Sequence, residues 1–274
     1  MLPACLWLIA PTAVFTIVGY TEAPFCAAAF WAWERARAGR WWAAALLAGV
    51  ACTFRVSGLF LIGALAVLAV LGDGDEARPT SQAARRRRTV DVVNRLSTLL
   101  VPTAVLVAFV VWLHRLTGSW TAWSQAQTEG WGRGFTTPVE TLRHTLPATR
   151  PETWQSTYGA GATGVAIVFR LELVSVALGV VVFLYCLIRR RWASASWVGI
   201  QVVAFSIGYW YMSVNRATLL WFPLFVALAE ASRGPSKPPG LVLLWRGITS
   251  IIVAADFAVM VWWGWRFFTG GWTT

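Results

Sequence analysis

Charge is what this chain of 274 residues has least of: 13% of its residues are Asp, Glu, Lys or Arg, and 12 are acidic. A soluble domain needs roughly a quarter of its residues charged to cover its surface. Much of this surface must therefore face something other than water. Metal ligands are equally sparse. The 2 histidines, His114 and His144, are far apart and lack the i, i+4 spacing of a helical metal pair. The 4 cysteines, Cys5, Cys26, Cys52 and Cys186, lie singly in apolar stretches, which reads as buried thiols rather than disulfides or a zinc site. No metal site and no cofactor is implied, and dependence on a divalent metal stays open. No internal repeat is evident.

What the chain has is apolar residues, 57% of the total, with a mean hydropathy of +0.60. They come in blocks, such as 43–71, 173–188 and 248–261. Such blocks match the ~20 residues a helix needs to cross ~30 Å of hydrocarbon. The first run, 2–18, has no basic segment before it and is read as a membrane helix, not a signal peptide. Apolar runs and breaks predict nine membrane helices, about 2–19, 22–36, 41–54, 57–71, 96–115, 168–188, 193–211, 215–231 and 247–267. The fold class is an all-α, polytopic transmembrane bundle in a single domain, 1–274. Within it, 43–71 reads either as one long tilted helix or as two short helices broken at Arg55-Val56-Ser57-Gly58.

The net charge of +11 does not point to nucleic acid, because of where the arginines lie. Arg35, Arg37 and Arg40, then Arg85, Arg86, Arg87 and Arg88, then Arg189, Arg190 and Arg191 form short clusters between apolar blocks. Cytoplasmic loops of membrane proteins have this pattern. An inward amino terminus puts 34–41, 72–95, 189–192 and 232–246 on the cytoplasmic side, with 72–95 and 232–246 as linkers. A single span over 41–71 would strand one basic cluster outside, so charge favours the broken pair. The outward side then holds the 19–22, 55–58 and 213–216 turns and the long segment 116–165.

Many of the 19 tryptophans fall at predicted span ends, among them Trp41, Trp112, Trp192, Trp245 and Trp262. An interfacial aromatic belt accounts for them. Trp120, Trp123, Trp131 and Trp154, in the outer segment, also suit a sugar ring or a lipid headgroup. Ionisable groups at membrane depth need a reason. Glu22 opens a helix after Thr21, where a capping role competes with a functional one. Arg55 is either a snorkelling arginine, a partner for Glu22, or a ligand for an anion. Arg170 and Glu172, two apart, would not face each other on a helix. Asp256 is expected to pack against a polar partner. Arginines on the outer side run against the positive-inside tendency, and they suit a phosphate or diphosphate held there.

Three motifs carry a resemblance. Gly19-Tyr20-Thr21-Glu22-Ala23-Pro24-Phe25 resembles a Y-T-E-x-x-F element. Ala48-Gly49-Val50-Ala51-Cys52-Thr53-Phe54-Arg55-Val56-Ser57-Gly58 resembles A-G-x-A-x-x-x-R-x-x-G. Arg216-Ala217-Thr218-Leu219-Leu220-Trp221-Phe222-Pro223 resembles a late R-x-x-L-x-x-x-P segment. In this order, they look like the GPI mannosyltransferase 2 (PIG-V-like) family and its bacterial relatives among the multi-spanning GT-C glycosyltransferases. The resemblance implies a mannosyltransferase in the cell membrane, of bacterial plasma-membrane type. It would use polyprenyl-phosphate mannose as donor and act on the non-cytoplasmic face. Carried onto this chain, it places Glu22 in the site as a substitute for the family's catalytic acid, Arg55 and Arg216 on the donor phosphate, and Tyr20, Thr21, Trp123, Gln127 and Trp131 on substrate. The family's first helix and first outer loop, where its catalytic acid is expected, have no counterpart in these residues. The competing class is a non-catalytic lipid-handling protein, a polyprenyl-lipid transporter or an assembly subunit. A transporter more often shows repeat symmetry and polar residues near mid-membrane.

Overall fold

The computed structural model describes residues 2–72, 82–233 and 239–273, with 82–85, 233 and 239–246 described by backbone alone. Among the described residues every regular element is a helix. In chain order these are α1 (Leu2–Leu8), α2 (Glu22–Arg37), α3 (Trp41–Phe54), α4 (Gly58–Leu71), α5 (Gln82–Thr98), α6 (Leu100–Thr117) and α7 (Ala122–Trp131). They continue as α8 (Pro138–Ala148), α9 (Gln155–Tyr158), α10 (Ala162–Ile188), α11 (Trp192–Ser206), α12 (Val214–Ala217), α13 (Phe222–Arg233) and α14 (Pro239–Phe268).

Among the described residues, three helical stretches are long and apolar enough to cross a membrane: Arg86–Thr117, Pro151–Ile188 and Gly247–Phe268. A fourth crossing arises if Val214–Leu220 and Phe222–Ser232, bent by 72°, count as one span. Trp41–Phe54 and Gly58–Leu71 are apolar but shorter. At 1.5 Å per residue, such helices reach about 20 Å, less than the hydrocarbon core.

The boundaries differ from the sequence expectation where the backbone loses a donor or gains a side-chain partner. Residues 2–19 are not one helix: α1 stops at Leu8 and a 3-10 turn follows at Ala13–Thr16. Pro11, which has no N–H to continue the ladder, lies in the gap. The stretch 193–211 ends early, at Ser206, and Tyr211 gives its N–H to the hydroxyl of Thr145 at 2.9 Å. The outer segment 116–165 is mostly helical. Thr137 caps α8 by accepting the N–H of Glu140, with Pro138 in the first turn. That cap was readable in Thr137-Pro138-Val139-Glu140. The linker 72–95 becomes α5 from Gln82 onward. Its residues 73–81, the side chain of Arg85, residues 234–238 of the second linker and the side chain of Trp245 lie outside the described residues.

The chain divides into two compact units. One comprises Met1–Glu22, Thr137–Val182 and Trp210–Thr274; the other comprises Ala23–Thr136 and Phe183–Tyr209. In the second unit, α4 packs on α11 and α3 on α6. Small residues set the approach: a Cβ at Gly63 would lie 3.3 Å from Ile200, and one at Gly49 would lie 3.6 Å from Val105. Phe25 stacks on Trp197 with centroids 6.5 Å apart, both rings buried. Arg95 of α5 lies over the Trp41 ring at 5.7 Å.

In the first unit, α1 packs on α13, and Trp7 donates its indole N–H to the carbonyl of Leu219 at 2.8 Å. Trp154, Phe169, Trp210 and Trp272 form an aromatic layer, with Phe169 5.3 Å from Trp154 and 5.1 Å from Trp272. Gly164 leaves room beside this layer for the guanidinium of Arg266, whose Nε donates to the Trp272 carbonyl at 2.9 Å. Little of the α14 span is covered. Only 6% of its most apolar window is buried.

At the break between α3 and α4, Arg55 is extended (φ −149°, ψ 141°) and Gly58 comes hard against Cys52. A Cβ at Gly58 would lie 2.5 Å from the Cys52 sulfur and 2.9 Å from its backbone. Gly58→Ala is expected to destabilise the chain by about 1–3 kcal/mol through overpacking. Because the clash with the Cys52 backbone persists, Cys52→Ala should rescue only part of that loss, as read by thermal unfolding in detergent.

Candidate functional site

The site forms around a carboxylate without access to solvent. Glu22 is the first residue of α2, where the positive end of the helix dipole favours an anion, and its relative exposure is 0%. A buried carboxylate also needs a cation nearby. Arg216 supplies it, with Nε 3.8 Å from Oε1 of Glu22, an ion-pair distance rather than a hydrogen-bond one.

The Arg216 guanidinium is held by two aromatic rings on one side and by a hydroxyl at its tip. Its centre lies 5.2 Å from the Phe15 ring and 5.1 Å from the Tyr20 ring, both within cation–π range. Phe15 and Tyr20 meet edge to face at 5.1 Å, and Phe267 of α14 closes on both. Nη2 of Arg216 donates to the Ser213 hydroxyl at 3.1 Å. The arginine side chain keeps 16% of its surface accessible.

Arg216 is carried by α12, and what sets α12 is a second buried acid. Glu172 of α10 is 0% exposed and uses both oxygens on one turn. Oε1 accepts the N–H of Ser213 and Oε2 accepts that of Asn215, each at 2.9 Å. Asn215 is fixed further: its Nδ2 donates to the Val168 carbonyl at 3.2 Å, and Oδ1 accepts from the Ser175 hydroxyl at 2.8 Å. Its own carbonyl accepts from Thr12 at 3.1 Å and from Thr218 at 2.7 Å. Ser213 itself is left-handed (φ 68°), a conformation that costs a non-glycine residue on the order of 1 kcal/mol. The surrounding bonds hold it there.

The structure therefore brings Tyr20, Glu22 and Arg216 together in one unit, with Thr21 exposed beside them. Arg55, Trp123, Gln127 and Trp131 belong to the other unit. Trp123, Gln127 and Trp131, four apart, share one face of α7, and both tryptophans are exposed. Gln127 accepts from Arg133 at 3.3 Å. The two other tryptophans of that outer group have ring partners within the protein, although Trp120 is also exposed. Trp120 stacks on His114 at 3.8 Å, and Trp154 lies in the aromatic layer with its N–H on the Ala148 carbonyl. Arg170 and Glu172 do not face each other: Arg170 is exposed and donates to the Thr149 carbonyl at 2.9 Å.

The expected polar partner of Asp256 is missing. Asp256 is half-buried on the largely uncovered α14 span and, among the described residues, has no hydrogen-bond or ion-pair partner. Cys26, Cys52 and Cys186 are buried thiols, while Cys5 is exposed. Among the described residues no cluster of His, Cys, Asp or Glu is grouped to hold a metal ion. A groove of about 580 Å³ lies elsewhere in the first unit, lined by Ile9, Ser232, Thr249, Val253 and Phe257.

Glu172 is the residue whose role sequence reasoning missed. Val168, Glu172 and Ser175 fall at i, i+4 and i+7, one stripe of α10, and two of the three are polar in an otherwise apolar helix. That spacing was the available signal. Compared with protein-family models, with curated proteins and with solved structures, the chain matches none, so the family resemblance rests on its motifs alone.

Removing one partner of a buried ion pair costs on the order of 3 kcal/mol, because the other is left uncompensated. Glu22→Ala is expected to lose stability on that scale. Glu22→Ala combined with Arg216→Met should recover most of it. A double variant no more stable than the single would show that the pair is not coupled.

Proposed function

We propose that this chain is a membrane-embedded mannosyltransferase of GT-C type, with about nine membrane helices, moving mannose from polyprenyl-phosphate mannose to an acceptor hydroxyl on the non-cytoplasmic face of a bacterial cell membrane. The observation that carries the reading is the placement of Arg216. Two of the three motifs, around Tyr20-Thr21-Glu22 and around Arg216, are far apart in sequence yet meet in one packed cluster.

In the transfer, the acceptor oxygen forms its bond to the anomeric carbon as the bond from that carbon to the lipid phosphate breaks. The phosphate leaves with the electron pair, and the acceptor proton passes to a base. Charge grows on the leaving phosphate, and a fixed guanidinium stabilises it without reorganising. Arg216 fills that role, and Arg55, in the other unit, stays a phosphate-binding candidate from its own motif. Glu22 is fully buried with its carboxylate toward Arg216. It can take the acceptor proton only if that pair opens, so its main task in this reading is to balance the charge of Arg216. Tyr20, 41% exposed, offers an aromatic face beside the arginine for the sugar or lipid headgroup. Trp123, Gln127 and Trp131 are assigned to substrate contact.

A second reading, a lipid-handling protein without chemistry, is favoured by the groove along α14. Its lining mixes apolar side chains with the hydroxyls of Ser232, Thr249 and Ser250 and suits a hydrocarbon chain. The two readings part on product formation. In liposomes with labelled polyprenyl-phosphate mannose, the transferase reading expects labelled mannose on a new acceptor. Arg216→Ala should lower turnover by about 10²–10³, the scale of a lost transition-state donor. Arg216→Lys should recover only part, since an ammonium keeps the charge without the planar fork. Undiminished transfer in Arg216→Ala would remove this residue from the site. Movement of the donor across the bilayer without any product would favour the second reading.

A further inference from the structure

We propose that Glu172 is a positioning residue for Arg216, acting through the Ser213–Asn215 turn; its importance for ligand binding rests on the reading of Arg216 as the phosphate-binding group. Glu172 reaches the arginine through backbone. Its two oxygens take the N–H groups of Ser213 and Asn215, and the Ser213 hydroxyl in turn accepts from Arg216.

Three features set this apart from ordinary core packing. First, the carboxylate is fully buried and both oxygens serve one turn, so its position and that of the turn are locked together. Secondly, Ser213 is held left-handed, and its hydroxyl is where the Arg216 tip is bonded. A relaxed backbone at that residue would carry the acceptor away from the guanidinium. Thirdly, the same stripe of α10 supplies two more anchors to the same turn: the Val168 carbonyl and the Ser175 hydroxyl, both on Asn215. The helix thus grips residues 213–215 at several points immediately before the arginine. Charge complementarity alone needs none of these bonds, because Glu22 already neutralises Arg216.

Glu172→Gln is the informative change. It keeps size but offers one carbonyl oxygen where two acceptors stood, and sets an NH2 group against a backbone N–H. The full chain in lipid nanodiscs, with 15N-labelled arginine, gives a readout that needs no ligand. The Arg216 Nε–H resonance should shift in Glu172→Gln and in Ser213→Ala, and stay close to wild type in Arg170→Gln. The ligand readout uses polyprenyl phosphate without sugar as the probe. Its affinity should fall roughly tenfold in Glu172→Gln, the scale of one hydrogen bond to a charged group. Glu172→Asp should recover part of that loss. Adding Glu172→Gln to Arg216→Ala should cost little more, because a residue that works through another couples to it.

An unmoved Arg216 resonance in both Glu172→Gln and Ser213→Ala overturns the proposal, as do additive losses of affinity. If Glu172→Gln does not fold, Ser213→Ala alone decides, since it removes only the hydroxyl that links turn to arginine. A shifted resonance in a protein that does not bind polyprenyl phosphate supports the positioning role and sinks the phosphate reading instead.

Discussion

A glutamate side chain with no exposure to solvent is the constraint from which the first unit is organised. An isolated buried carboxylate is costly enough that a protein either neutralises it or surrounds it. Glu22 has the start of α2 behind it and Arg216 in front. The arginine brings its own demand, because a partly buried guanidinium with many donors is best held in one orientation. Phe15 and Tyr20 pack beside it together, and Ser213 takes one end. Ser213 can do so only in a left-handed conformation, and Glu172 holds that conformation. One buried acid therefore leads to a second through a chain of bonds that ends on α10.

The two acids do different work because their surroundings differ. Glu22 meets a charged side chain at 3.8 Å, so its contribution is mainly electrostatic. Glu172 meets backbone N–H groups at 2.9 Å, so its contribution is directional. Electrostatics alone would leave Arg216 free to follow Glu22 as the chain moves; the backbone clamp keeps the arginine where the fold puts it. A preorganised cation of this kind suits a phosphate whose charge grows during reaction. It equally suits a phosphate that only binds.

How much of this was legible in the sequence depended on whether a local signal carried it. The all-helical architecture followed from apolar blocks and the sparse charge. The break at Arg55 followed from a polar turn inside an apolar run, and the observed break falls there. Helix ends were less legible. Pro11 divides the first run, and the Ser206 end of α11 is set by a turn whose Tyr211 N–H goes to Thr145, 66 residues away in the chain. No local window reveals that bond. The motif around Arg216 pointed to a functional arginine, and Glu22 stood out as an acid in an apolar segment. Their pairing joins residues nearly 200 apart, so pattern could suggest it but not derive it. Glu172 had a readable stripe, but the target of that stripe, a turn rather than a side chain, was invisible until the backbone was in place. Asp256 was expected to have a polar partner and has none among the described residues, since α14 turns most of its surface away from the rest of the unit.

The central claim is that the buried Glu22–Arg216 pair marks the place where a lipid-linked phosphate is received. Photo-crosslinking tests it most directly, using a polyprenyl phosphate whose reactive group is next to the phosphate, on the full chain in nanodiscs. The account predicts adducts on residues 15–22 and 213–222, suppressed by excess unmodified polyprenyl phosphate. Competable adducts confined to the α14 groove around Thr249–Phe257, with none beside Arg216, would contradict it.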